Sequence, residues 1–193
     1  MKLKSSVSKL SIIPNAGRIG RFARIIEKEV GRDIVKKVMR GADKYGSSNY
    51  AEKAAWWREA VERLAKEVGE ETAVKIMESC GRKCCGPTRI KHAKKLMSES
   101  KSLEELLGRL NKIGIGGGRL RLINQNTVVG GYDRCYCGQV KQTKKPFSNR
   151  IYCYCSVGWY KQLFESALGR PVQIEIQQSI ISGAESCEFI IHI

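Results

Sequence analysis

The chemistry of this chain rests on eight cysteines and very little else. Cys80, Cys84 and Cys85 stand together, Cys135 and Cys137 form one Cys-x-Cys pair, Cys153 and Cys155 form a second, and Cys187 lies near the end. His92 and His192 are the only histidines. Alternate residues of a strand point to one face, so each Cys-x-Cys pair read as a strand presents two thiols together. Lys144-Lys145-Pro146 lies between the pairs. A hairpin turning there sets Cys135 opposite Cys155 and Cys137 opposite Cys153, with facing Cβ atoms about 4.5–5.5 Å apart. Four thiols on one patch point to a metal site, and zinc takes thiolates at about 2.3 Å in a tetrahedron. A flat hairpin does not make a tetrahedron, so a bulge, or Cys187 in place of one ligand, completes the set of Cys135, Cys137, Cys153, Cys155 and Cys187. Against this stands the bland reading of small thiols packed on a sheet, because free cysteine is often buried.

Cys84 and Cys85 carry a second chemistry, in the run Cys80-Gly81-Arg82-Lys83-Cys84-Cys85-Gly86-Pro87. Neighbouring cations and the positive end of a helix starting at Pro87 lower a thiol's pKa, as a nucleophile requires. On that reading Cys84 or Cys85 is the catalytic residue of a cysteine-dependent hydrolase acting on a small heterocycle; His92, seven residues after Cys85, is its candidate partner, although a lysine-flanked histidine reads more simply as an exposed one. The Cys-Cys-Gly run also resembles the motif of heterodisulfide-reductase-type iron–sulfur subunits, which would imply an iron–sulfur cofactor, although their downstream Cys-x-x-Cys is absent.

The elements that must position these thiols fall into two halves. Across residues 1–113 the apolar residues step by three and four: Ile19, Phe22, Ile26 and Val30, then Ile34, Val38 and Ala42 beyond Gly31, and Tyr50, Ala54, Trp57, Val61, Leu64 and Val68 behind a cap at Ser48 or Asn49. These are helix faces. Residues 72–80 continue in that style, and Ser102 with Glu105 makes a capping box before Leu106, Leu107 and Leu110. The run Gly114-Ile115-Gly116-Gly117-Gly118 follows a helix and precedes strand-like residues, the wrong order for a phosphate-binding loop, so it reads as a turn. From there the period is two. Strands are expected at 119–124, 127–132, 134–141 and 150–156, a helix at 157–168 closed by Gly169 and Pro171, then strands around Val172–Ile176 and at 188–193. The fold class is therefore α+β: an N-terminal helical half (1–113) packed on a C-terminal antiparallel sheet region (114–193) with one intervening helix, forming one unit.

Composition narrows the function. Hydrophobic residues make up 42% of the 193, a globular proportion. No apolar run reaches the roughly 18 residues of a membrane span, and the lysine-bearing start lacks a secretory core, so a cytoplasmic location is expected, with no membrane partner. In a reducing compartment eight cysteines favour metal or thiol chemistry over disulfides. The net charge of +16 is uneven: residues 1–50 hold twelve Lys and Arg against four acids, while 151–193 hold two against four. A basic front suits an anionic partner such as nucleic acid, bound weakly and without sequence preference, or it is a solubilising surface. Aromatics at 7% are not interleaved with the basic runs.

The tail Cys155-x-x-Gly158-Trp159-Tyr160, Gly169-Arg170-Pro171-Val172, Ser182-Gly183 and Cys187-Glu188-Phe189-Ile190-Ile191 resembles the 4-vinyl reductase domain and the related thiazoline-carboxylate hydrolase-like proteins. The resemblance implies an α+β domain that binds a small molecule, as in members that sense aromatic effectors, and a structural zinc. Cys155 and Cys187 match that family's first and last ligands, whereas Gln178 and Ile181 stand where its acid and middle thiol would be. The expectation is a small-molecule-binding, sensor-like domain, its helical half a lid or homodimer surface; either Cys135, Cys137 and Cys153 replace the lost ligands and hold zinc, or the metal is gone and the thiols do something else.

Overall fold

The computed structural model describes residues 13–193. Among these residues seven helices come in chain order: α1 (Gly17–Val30), α2 (Arg32–Val38), α3 (Tyr50–Val68), α4 (Glu70–Cys84), α5 (Pro87–Ser98), α6 (Leu103–Lys112) and α7 (Tyr154–Leu168). Four strands, β1 (Arg121–Asn124), β2 (Thr127–Tyr132), β3 (Gln173–Gln178) and β4 (Cys187–His192), form one antiparallel sheet in the order β1-β2-β4-β3. The chain is α+β, helices first and sheet after, with α7 between the two hairpin halves. Among the described residues no helix is long and apolar enough to cross a membrane.

The helix boundaries follow local chemistry. Asn49 caps α3: its side chain accepts the N–H groups of Ala51 and Glu52, each at 3.0 Å, and the Glu52 carboxylate accepts the Asn49 N–H at 2.8 Å. Ser102 accepts the Glu105 N–H at the start of α6. The glycine run after α6 is a short 3-10 turn, and Gly116 and Gly117 sit at φ 62° and 67°, which side-chain-bearing residues avoid.

On the sheet, Ile174, Ile191 and Val128 stand in one cross-strand row, as do Ile176, Phe189 and Gly130, and Cys187 faces Tyr132. This face is covered by α7, through Tyr160, Leu163 and Phe164, and by α6. Glu175, Gln177, Glu188 and His192 lie on the opposite face. A second buried cluster, built on Phe22, Ile26, Trp57, Leu64 and Ile76, holds α1 to α4 together and takes in Val140, Phe147, Ile151 and Tyr152 from the C-terminal half.

The two expected strands that carry the Cys-x-Cys pairs do not form. Residues 133–150 are irregular, and residues 151–153 make a 3-10 turn that runs directly into α7, so the expected helix at 157–168 begins three residues early. Alternating Tyr and Cys suit a strand locally, but burial of Ile151, Tyr152 and Cys155 against the helices decides the matter. With no strands at 134–141 and 150–156 there is no hairpin about Lys144-Lys145-Pro146.

The joint between the halves is the crossing of α4 and α7. A Cβ on Gly81 would lie 1.9 Å from the Cys155 carbonyl oxygen, and one on Gly158 would lie 1.9 Å from that of Glu78. Only two glycines allow backbones this close. Beside them Arg82 donates to both oxygens of Glu165, at 2.6 and 3.0 Å, and Lys161 donates to both of Glu78, at 3.1 and 3.0 Å. The Arg82 pairing holds the Glu165 carboxyl below the usual range. Replacing Gly81 or Gly158 by alanine forces the helices apart, an overpacking cost of about 2–3 kcal/mol. Urea denaturation of each variant should show that loss, and Gly108→Ala, at an open helical position, should not.

Candidate functional site

A cavity of about 90 Å³ lies between the inner face of β2, β3 and β4, the start of α7 and the irregular 133–150 segment. Its wall holds four of the five cysteines expected to form a metal site: Cys135, Cys137, Cys153 and Cys187. Tyr132, Tyr136 and Tyr152 supply aromatic surface, and Val140, Ile176, Ile181 and Phe189 aliphatic and aromatic floor. Long irregular segments inside a compact domain commonly serve a site. This one is pinned: Val140 is fully buried, the Phe147 N–H donates to the Ile181 carbonyl at 2.7 Å, and the Gln139 and Tyr45 side chains are hydrogen-bonded.

Cys155 is the member left out. Residues i and i+2 share a face in a strand but stand about 200° apart around a helix. Once residues 151–155 wind into the start of α7, Cys153 lines the cavity against Ser179, whereas Cys155 is buried in the helical cluster with Cys80 and is not on the cavity wall. Among the described residues no group of three or more His, Cys, Asp or Glu side chains converges closely enough to hold a metal ion.

The thiols are individually partnered. Ser179, the one buried polar residue among those described, hydrogen-bonds Cys153 Sγ at 3.0 Å, and the Ile180 N–H donates to Cys187 Sγ at 3.4 Å. Burial pushes the Cys153 thiol up to about 12 and the Cys135 thiol up to about 11. Burial likewise raises Cys187, and it lifts Cys155 to about 12. Cys135, Cys153 and Cys187 are held neutral at physiological pH, so the part of the cavity wall they form is soft, weakly polar and uncharged.

Behind the wall, in contact with Cys137 and Tyr152, stands Arg18, on the first turn of α1. Its guanidinium donates to Cys137 Sγ at 2.9 Å, to Cys84 Sγ at 3.1 Å and to the Tyr152 hydroxyl at 3.4 Å, and the Tyr152 oxygen lies 3.2 Å from Cys137 Sγ. Three elements far apart in sequence thus meet on one cation. Sequence reasoning missed Arg18, Tyr152 and Ser179. Arg18 is one of 35 basic residues and nothing local sets it apart, whereas a serine beside the final strand carried no signal at all.

The expected nucleophile pair divides. Cys85 is buried in the apolar cluster that α6 and α7 form with the sheet, where burial raises its thiol to about 11, the reverse of activation. Arg82, whose charge was to activate it, is engaged by Glu165 and Glu78. Cys84 is half-buried and faces Arg18. His92 is exposed on α5, and His192 pairs with Glu175 at 2.8 Å on the open face of the sheet. The exposed side of α5 carries Arg89, Lys91, Lys94 and Lys95 with no exposed large apolar side chain beside them.

The sequence matches DUF6144, a family of unknown function, over residues 21–193. The chain belongs to this family. No curated protein matches it. Among solved structures it is similar to a mutant H-NOX protein from K. algicida in the Fe(II) unliganded state, at 12% identity and a TM-score of 0.51, covering 91% of this chain and 94% of that one. An H-NOX protein from S. oneidensis in the Fe(II)NO ligation state aligns over 91% of this chain and 96% of its own, at 14% identity and a TM-score of 0.46. The phenol-responsive sensory domain of the transcription activator PoxR aligns over 75% and 74%, at 15% identity and a TM-score of 0.44. At such identities the K. algicida likeness is one of fold: this DUF6144 chain has an H-NOX-like arrangement of helices and sheet.

Raised thiol pKa values make stability fall with alkali. An unfolded cysteine ionises near pH 8.5, whereas burial pushes Cys153 and Cys155 up to about 12, so the native state resists a charge that the unfolded chain accepts. Their contribution is whole below about pH 8.5 and is lost as pH rises from there towards 12. The melting temperature of wild type should therefore drop more steeply between pH 8 and 10 than that of Cys153→Ser, since serine does not ionise there. Parallel curves would show that burial of the thiol is not linked to folding.

Proposed function

We propose that this DUF6144 chain is a small-molecule-binding domain of sensor type, and that its ligand occupies the cavity between sheet and irregular segment. The observation that carries the reading is the cavity itself: enclosed by two structural layers, mainly apolar, with the thiols, Ser179 and Tyr152 converging on it. The resemblance of the tail to 4-vinyl reductase domains supports the same reading, and so does the H-NOX-like fold. The volume sets the ligand's size. About 90 Å³ equals roughly three waters, and about 150 Å³ is what a benzene-sized guest needs. The ligand is a molecule of a few heavy atoms, or a small ring that displaces Tyr136, whose side chain is largely exposed.

The K. algicida H-NOX protein is described in an Fe(II) state, which raises the question of an iron group here. A haem would not fit. The cavity is several-fold smaller than pockets that hold drug-sized ligands, and neither histidine reaches it. Zinc is the reading the sequence favoured, and its support is the four thiols on one wall. It would require them to draw in to about 2.3 Å of one point and to surrender protons that burial holds on Cys135 and Cys153.

Two measurements test these readings. Phenol, imidazole and short alcohols, screened by thermal shift, should include a ligand that raises the melting temperature, and Val140→Phe, which fills the cavity, should abolish that rise. A panel that shifts both proteins equally would sink the cavity reading. Elemental analysis of protein purified without chelator should find far less than one zinc per chain; one zinc per chain, lost on replacing Cys153 by serine, would establish the zinc reading instead.

A further inference from the structure

The thiols gather around the joint of the two halves, yet among the described residues only Cys137 and Cys84 receive a charged donor. Arg18 reaches them through its two terminal nitrogens. Cys84 is the last residue of α4, Cys137 lies in the irregular segment, and the two are held on one planar group. Cys137 is also the thiol that faces both ways: it lines the cavity and touches Arg18 and Tyr152. A guanidinium N–H aimed at sulfur stabilises negative charge developing there, and here it is joined by a hydroxyl on the same atom. The other wall thiols, Cys135, Cys153 and Cys187, have neutral partners and are held protonated by burial.

We propose that Cys137 is the site at which a small hydroperoxide reacts with this protein, and that Cys84 resolves the product to a disulfide. The proposal rests on the reading of the cavity as a small-molecule site and names the chemical class of its ligand. Hydrogen peroxide or a short alkyl hydroperoxide fits about 90 Å³, and the apolar wall suits a short alkyl tail. Cys137 sulfur attacks the terminal peroxide oxygen. An S–O bond forms, the O–O bond breaks, and the departing oxygen takes the thiol proton and leaves as water or alcohol. Sulfur has lost two electrons and the peroxide has gained them, giving a sulfenic acid. Cys84 sulfur then attacks Cys137 sulfur. The S–S bond forms, the S–O bond breaks, and the hydroxyl leaves as water with the Cys84 proton.

The disulfide removes both sulfur acceptors from Arg18, leaving its cation with Tyr152 alone. The first turn of α1 loses its anchor to α4 and to the irregular segment together, so oxidation at the cavity is felt at the N-terminal end of the fold.

The test is titration of the fully reduced protein with hydrogen peroxide, followed by peptide mass spectrometry. With one equivalent, a disulfide joining the Cys84 and Cys137 peptides should appear ahead of any other oxidised species. In Cys84→Ser the Cys137 sulfenic acid should persist and be captured by dimedone. Cys137→Ser should consume peroxide at least tenfold more slowly. Arg18→Gln should slow the reaction by a similar factor, and Arg18→Lys, which keeps the cation, should recover part of the rate; equal loss in both would reveal a merely structural arginine. Oxidation spread evenly over the cysteines, dimedone on any other residue, or an unchanged rate in Cys137→Ser overturns the proposal. Should Cys137→Ser fail to fold, peptide mapping of wild type decides alone. Binding of a neutral ligand by Cys137→Ser in the thermal-shift panel, with no preferred oxidation in wild type, would leave the cavity reading standing while the peroxide chemistry fails.

Discussion

Two helices touch backbone to backbone where Gly81 meets Gly158, and the rest of the molecule is arranged around that contact. α4 belongs to the N-terminal bundle and α7 covers the sheet, so the glycine crossing is where the two apolar clusters become one protein. The clasp of Arg82 with Glu165 and Lys161 with Glu78 keeps the helices from sliding. These ion pairs are partly exposed and individually modest, but the bidentate Arg82–Glu165 geometry sets orientation. Gly81 needs no tolerance of unusual backbone angles. Its role is absence of a side chain.

The close crossing dictates what becomes of the thiols. Because α7 must lie against α4 from Cys155 onward, the chain before it is drawn into helical turns, and Cys153 and Cys155 point to different sides. Cys155 joins Cys80 beneath α1, whereas Cys153 joins Cys187 and Ser179 over the sheet. Cys84, one turn beyond Gly81, is carried to the edge of the joint, where Arg18 collects it with Cys137. A neutral thiol is well suited to such a place: it is small, packs like an apolar group, and still offers a weak donor and acceptor. Carboxylates in the same positions would bring a far larger desolvation cost.

Charge is distributed on a different principle. The ion pairs of α1, α2, α4 and α5 are mostly solvent-exposed and add little to stability. Arg18 is the exception, a cation turned inward onto sulfur and a phenol. Its burial weakens the charged form, but the surrounding Tyr152 and thiols outweigh that and its pKa stands raised. The net charge of +16 is therefore largely a property of the surface, and only one guanidinium of that excess belongs to the site.

Periodicity in the sequence was sufficient for most of the helices and for all four strands of the sheet, because each buries one face and the pattern of apolar residues is that face written out. It also sufficed to single out the cysteines, four of which do share a cavity. It misplaced their geometry. Arg134–Lys141 and Arg150–Ser156 have the alternation of strands, and nothing within either segment reveals that the contact of Gly158 with Glu78, distant in sequence, makes the second helical. A period of two and a helix's 100° step distribute Cys153 and Cys155 quite differently, so an error in local structure became an error in which thiols meet. Arg18, Tyr152 and Ser179 were beyond reach for a related reason: each is ordinary in its own neighbourhood. A guanidinium becomes a thiol partner only when α1, the end of α4 and the irregular segment converge, and that convergence is set by packing between elements rather than by any spacing along the chain.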